Sequence, residues 1–289
     1  MRYEGDIYRP PSEAHSLIVQ ATIGCAHNKC TFCSMYKSKT FRARPCGDVI
    51  DDLREARDMY GRIGRVFLAD GDALVLSSDK LLEILSAIRE LMPECGRVSI
   101  YGTPQAVLRK SSDELRALAD AGLCIVYLGA ESGDDEVLGR VNKGATSDEI
   151  ISAIRKAEDA GLEISVTFIS GLGGIELSKQ HALGCARVIR EACPSYAALL
   201  TLLLEPAAPM YKDLQSGSFK FMTPEQIAEE TVSLLDQARP DNDCVFRSNH
   251  ASNYVPLKGT LPHDNDVLIS SLKSALAEGA FKDDYFRRL

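Results

Sequence analysis

The chain has 289 residues, 45% hydrophobic and 26% charged, with 33 basic against 41 acidic residues and a net charge of −8. These values fit a soluble protein with a sizeable core, built as one large domain or two small ones. The acidic balance argues against a broad nucleic-acid-binding face, and no apolar run approaches the roughly 20 residues that span a bilayer.

The N-terminal stretch MRYEGDIYRPPSEA is polar and does not read as a signal peptide, which predicts a cytoplasmic protein. In that reducing compartment the nine cysteines are expected as thiols or metal ligands rather than disulfides. Pro10 and Pro11 exclude helix from the lead-in. An apolar run then predicts a buried strand over 16–22.

The loop that follows, GCAHNKCTFCSMYK over 24–37, carries Cys25, Cys30 and Cys33 within nine residues. Three thiolates at a strand end suit three irons of a cubane iron–sulfur cluster. The fourth iron would then stay open to a small molecule, because such clusters ordinarily take four cysteines. Other readings stay open on the residues alone. A zinc site would need four ligands in paired spacing, and only His27 lies nearby. The C-x4-C-x2-C spacing also matches plant-type ferredoxins, with Cys46 as the nearest fourth ligand. Three unrelated core cysteines are the plainest alternative. Phe32, between the second and third cysteines, is placed to cover a cluster, to stack on an adenine or to fill the core.

Beyond a basic irregular stretch, helical spacing predicts a helix over 47–60. A strand over 65–69 ends in Asp70-Gly71-Asp72, and a helix over 77–91 follows. The next strand, 97–101, ends in Gly102-Thr103-Pro104 and leads to a helix over 113–121. A strand over 123–128 ends in Gly129-Ala130-Glu131-Ser132-Gly133, before helices over 134–140 and 147–160. A strand over 163–169 ends in Ser170-Gly171-Leu172-Gly173-Gly174 and precedes a helix over 177–191. The run over 196–204 reads as a strand ending in Glu205-Pro206. A helix over 223–238 has Thr223 as cap and Pro224 in its first turn. A short strand over 244–247 and a helix over 265–277 complete the chain.

Strands and helices alternate about six times, and most strands are continuous apolar runs. That predicts a parallel sheet with helices outside, an α/β barrel or open barrel. Such folds place function at the C-terminal ends of the strands. The strand ends above are therefore the candidate site. Glu205 is a candidate substrate contact or proton acceptor. Arg247, Asn249, His250, Asn253 and Tyr254 form a polar group after the last strand. It reads either as a substrate site, with His250 as general acid or base, or as a structural hydrogen-bond knot.

The cysteine loop and the stretch GAESGDDEVLGRVNKG after the fourth strand resemble the radical S-adenosylmethionine (SAM) superfamily. The branch is the one that includes oxygen-independent coproporphyrinogen oxidase, methylthiotransferases and the elongator acetyltransferase subunit. The loop has one residue more than the usual C-x3-C-x-aromatic-C, and Phe32 fills the aromatic position. TFISGLGG and LLLEPAAPMY resemble two further segments, so the likeness runs from about Ser16 to Pro209.

The resemblance implies a partial (β/α)6 TIM-like barrel over 1–240, with a short C-terminal extension over 241–289 closing its mouth. It implies a 4Fe–4S cluster on Cys25, Cys30 and Cys33, with SAM chelated at the open iron. Backbone around Asp70, Gly71 and Asp72 would meet the SAM amino group. Glu131 and Ser132 would contact the ribose or methionine, Arg140 the carboxylate, and Gly171 the adenine, with Thr103 a further contact. Reductive cleavage would give methionine and a 5′-deoxyadenosyl radical that takes hydrogen from a substrate. The enzyme would be oxygen-sensitive and take electrons from a reductant such as flavodoxin or ferredoxin. With no added RNA- or cobalamin-binding domain visible, a small-molecule substrate is expected. The other function class is an Fe–S electron-transfer or redox-sensing protein with a fourth cysteine ligand and no SAM chemistry.

Overall fold

The computed structural model describes residues 1–287. Two compact units are found. The first comprises 1–28, 35–128 and 156–164, and the second 29–34, 129–155 and 165 onward.

In the first unit, β1 (Leu17–Gln20) is followed by β2 (Thr22–Ile23) and β3 (Arg42–Ala43). Then come α1 (Cys46–Met59), β4 (Arg65–Ala69), α2 (Ser78–Leu91) and β5 (Arg97–Gly102). Two helices, α3 (Pro104–Arg109) and α4 (Ser112–Asp120), precede β6 (Leu123–Glu131). Strands β1, β4, β5 and β6 pair in parallel in that order. Their side chains are mostly buried, as continuous apolar runs require when both faces are covered.

The strand expected over 16–22 is two pieces. Thr22–Ile23 turns away from β1 and pairs antiparallel with Arg42–Ala43, making a ribbon that brackets residues 24–41. The apolar run hides this break because both pieces are buried. Helix α3 was not expected from the sequence. Six residues show too little periodicity, although Thr103 caps the helix by accepting from Ala106 N and Pro104 opens it. Strand β6 runs three residues past the expected 128, so Gly129, Ala130 and Glu131 are strand rather than turn.

In the second unit, α5 (Asp135–Arg140) and α6 (Ser147–Glu158) lead to β7 (Glu163–Ser170) and α7 (Gly174–Ala192). β8 (Tyr196–Thr201), α8 (Tyr211–Ser216) and α9 (Pro224–Gln237) follow. The unit ends in β9 (Cys244–Ser248), β10 (Leu257–Leu261) and α10 (Asn265–Glu278). Strands β7, β8 and β9 are parallel, and β10 runs antiparallel to β9. β8 stops at Thr201 rather than 204. There Leu202 turns into a core cluster with Val137, Val141, Leu172 and Leu177, while Leu203 faces solvent. β10 was also missed, because LKGTL is too polar and glycine-broken to signal a strand. Helix α7 starts three residues before the expected 177, with Gly174 at φ 60°. The chain as a whole is mixed α/β with mostly parallel strands.

Candidate active site

The stem of the cysteine loop belongs to the first unit and is held by Asp70. This carboxylate is fully buried. It accepts from Gly24 N at 2.9 Å, from Gln20 Nε2 at 3.1 and 3.2 Å, and from Lys39 Nζ at 2.9 Å. Gly24 precedes Cys25 and Lys39 lies on the returning strand, so one side chain ties both arms of the stem. Asn28 adds a crossbrace by donating to Tyr36 O at 2.8 Å. Gly71 sits so close that a Cβ there would collide with the Tyr36 ring and lie 3.0 Å from the Cys25 Cβ. Only glycine lets the β4 end approach the loop this way. Asp72 is spent locally, accepting from Thr103 N and Oγ1 at 3.1 Å each.

The tip of the loop, Lys29–Ser34, belongs to the second unit. Thr31 N donates to Val141 O at 2.9 Å, and Thr31 O accepts from Met210 N at 2.8 Å. Phe32 is half-buried against the cluster that contains Val137 and Leu172. Ser34 Oγ donates to Glu205 Oε2 at 2.6 Å, which gives the exposed Glu205 a role at the loop tip.

Cys25, Cys30 and Cys33 are half-buried thiols. Backbone and neighbouring side chains hold the loop around them, so the donor set is thiolate-only, the set that suits iron–sulfur irons. Among the described residues, no three or more His, Cys, Asp or Glu are gathered as a single-ion site. Cys46 opens α1 with its Sγ 3.9 Å from Lys80 O. Burial and the nearby Glu83 carboxylate push its thiol pKa up, the wrong direction for a fourth thiolate ligand.

At the end of β6, Glu131 has φ 67°, a left-handed conformation that costs energy in a residue with a Cβ. Its Oε1 accepts from Lys143 Nζ at 2.9 Å, with side-chain exposures of 14% and 8%. Ser132 is fully buried, its Oγ 2.8 Å from His181 Nδ1. Arg140 lies exposed on α5, paired with Glu136 at 2.7 Å and Glu176 at 3.4 Å. After β7, Gly171 N donates to the buried Glu230 at 2.8 Å.

The polar group after β9 divides. Asn253 is buried as a stitch, with Oδ1 accepting from Thr201 Oγ1 at 2.9 Å and Nδ2 donating to Leu199 O at 2.8 Å. Tyr254 is covered by the Arg287 guanidinium at 3.6 Å. Arg247 is exposed and donates to backbone carbonyls of Phe246 and Gly259. His250 is half-buried, its Nδ1 2.9 Å from Ser252 Oγ. Burial, and secondarily Lys282, lowers its pKa. Asn249 lies at the surface.

The family described as the radical SAM superfamily matches residues 19–183. The chain belongs to the radical SAM superfamily. Enzymes of this superfamily use an Fe–S cluster and SAM for radical chemistry. A Methanocaldococcus jannaschii protein with a provisional methylthiotransferase name is 25% identical over 172 residues, 57% of this chain and 37% of that protein. The heme chaperone HemW of Bacillus subtilis is 21% identical over 71% of this chain and 55% of its own. The radical SAM methyltransferase TsrM from Kitasatospora setae has been solved with cobalamin and a [4Fe–4S] cluster, and with tryptophan and a SAM analogue. The latter structure matches with a TM-score of 0.58 at 19% identity, over 71% of this chain and 39% of TsrM. That likeness shows the fold, the TIM-like α/β type of these enzymes. The chain spans between 23% and 55% of the curated relatives it matches.

Sequence reasoning missed Lys143 as the partner of Glu131, although it lies in the same quoted stretch. It also missed His181 and Glu230. Only folding brings these two to the strand ends, and no local motif marks them. No helix among the described residues is long and apolar enough to cross a membrane.

Proposed function

We propose that this chain is a radical SAM enzyme acting on a small-molecule substrate. The carrying observation is the set of three half-buried thiols within nine residues, in a chain of this superfamily. Cys25, Cys30 and Cys33 hold a 4Fe–4S cluster and leave one iron for SAM. When bound and reduced by a flavodoxin or ferredoxin, the cluster supplies the electron that splits SAM to methionine and a 5′-deoxyadenosyl radical, which takes hydrogen from the substrate.

The chain's own residues bind and orient. The backbone of Asp70-Gly71-Asp72 lies against the Cys25 stem, where glycine leaves room for the amino group of the cosubstrate. Glu131 and Lys143 offer a carboxylate to hydroxyls and an ammonium to a carboxylate. Gly171 presents backbone to the adenine. Lys143 takes precedence over Arg140 for the SAM carboxylate, because Arg140 is exposed and already shared between two glutamates. Thr103 acts through Asp72 rather than on ligand. His250 and Asn249 are the tail residues best placed for substrate, since Asn253 is held inside the fold and Arg247 lies on backbone carbonyls. The acidic net charge favours a small molecule over RNA.

The test is anaerobic reconstitution, then reduction with SAM present. Equal amounts of methionine and 5′-deoxyadenosine support the proposal. A reduced cluster whose EPR spectrum ignores SAM refutes it and favours an electron carrier with four protein ligands.

A further inference from the structure

The second unit contains a buried polar chain that the family match, ending at residue 183, does not cover in full. Glu230 on α9 is 4% exposed. Its Oε1 accepts from Gly171 N at 2.8 Å, and its Oε2 accepts from Ser178 Oγ at 2.7 Å. His181, fully buried on α7, places Nε2 3.9 Å from the same carboxylate. The other ring nitrogen, Nδ1, is 2.8 Å from Ser132 Oγ. That hydroxyl also accepts from Asp134 N at 3.1 Å. Its hydrogen is then left to donate to Nδ1, and this tautomer turns the Nε2 hydrogen toward Glu230.

The backbones close in around this chain. A Cβ at Gly133 would collide with Gly184 O, and one at Gly184 would lie 2.5 Å from Gly133 carbonyl atoms. Helix α7 therefore packs directly on the segment that follows Ser132. The ends of β6 and β7 are thus joined through one carboxylate and one imidazole. A packed apolar pair would fill the same space without burying a charge. The polar chain does what an apolar pair does not: it fixes the direction of the Gly171 N–H and of the Ser132 hydroxyl.

We infer that Glu230 and His181 are positioning residues that set the β6 and β7 ends as a single preformed wall for the adenosyl part of SAM. This rests on the proposed SAM reading. Neither side chain touches the cosubstrate; each acts through Ser132 or Gly171. Preorganisation of this kind appears as tighter binding, because the ordering cost is met in folding.

The test is equilibrium dialysis of SAM against the anaerobically reconstituted protein at low temperature, with iron per chain and thermal midpoint measured in parallel. Glu230→Gln is expected to weaken SAM binding at least tenfold while iron per chain matches the parent. Ser178→Ala, which removes only the Oε2 donor, is expected to weaken it about threefold, and it decides the matter if Glu230→Gln does not fold. A lowered thermal midpoint with SAM affinity within twofold of the parent would overturn the inference and leave a merely structural network. Failure of the parent itself to bind SAM would instead overturn the proposed function, and this inference with it.

Discussion

Two strand-end carboxylates, Asp70 after β4 and Glu131 ending β6, each bind a lysine at 2.9 Å, yet they serve different ends. Asp70 is fully buried, and backbone and side-chain donors from both arms of the cysteine-loop stem converge on it. Its hydrogen-bonding capacity is spent on the fold. Glu131 keeps 14% of its side chain exposed and is held in a left-handed conformation beside Lys143. The comparison separates a carboxylate that builds a site from one that can take part in it. Similar sequence contexts, an acid beside glycine at a strand end, gave both the same expected role.

The largest expected effect comes from Asp70→Asn. Removing the charge leaves Lys39, 7% exposed, without its counter-ion. Breaking a buried pair from one side costs about 3–5 kcal/mol. The thermal midpoint should fall sharply, and iron retained after reconstitution should fall with it. If Asp70→Asn keeps its iron and its midpoint, the stem is not held as described.

Glu131→Gln should sharpen the contrast by the opposite pattern. The hydrogen bond to Lys143 weakens rather than vanishes, so the stability loss should be about 1 kcal/mol. SAM affinity should nevertheless drop tenfold or more by dialysis. Equal affinity in parent and variant would make Glu131 another structural acid.

Phe32→Ala tests the loop tip. Phe32 packs against Leu172, Val137 and their neighbours, and half of a core phenylalanine's contribution is about 2 kcal/mol. Stability should fall by that amount, whereas SAM affinity should change little. A large loss of affinity with unchanged stability would give the ring a stacking role instead.

The smallest effect concerns pH. Burial lowers the pKa of His250 below its ordinary 6.5. The unfolded chain therefore binds more protons than the folded one below that value. Stability should be fully present above about pH 6.5 and decline as pH falls through the folded pKa. His250→Gln should flatten this part of the profile in thermal melts from pH 5 to 7.

The parts legible in the sequence were those carried by local chemistry. Cys25, Cys30 and Cys33 announce themselves by spacing, and the parallel architecture follows from apolar runs such as RVFLA and LCIVYL. The illegible parts depend on distant pairing. Nothing near Glu230 signals that it meets Gly171, 59 residues away. β10 was hidden by its glycine and threonine, which antiparallel pairing to β9 tolerates. Asn253 read as a substrate residue because polarity after a strand looks the same whether it faces a ligand or stitches β8.

The most direct test of the central claim is the EPR spectrum of the reduced, reconstituted protein with and without SAM. The account predicts a 4Fe–4S signal that shifts on adding SAM, because one iron carries no protein ligand, and that disappears in Cys30→Ala. A 4Fe–4S signal that SAM leaves unchanged would mean four protein ligands and would contradict the account.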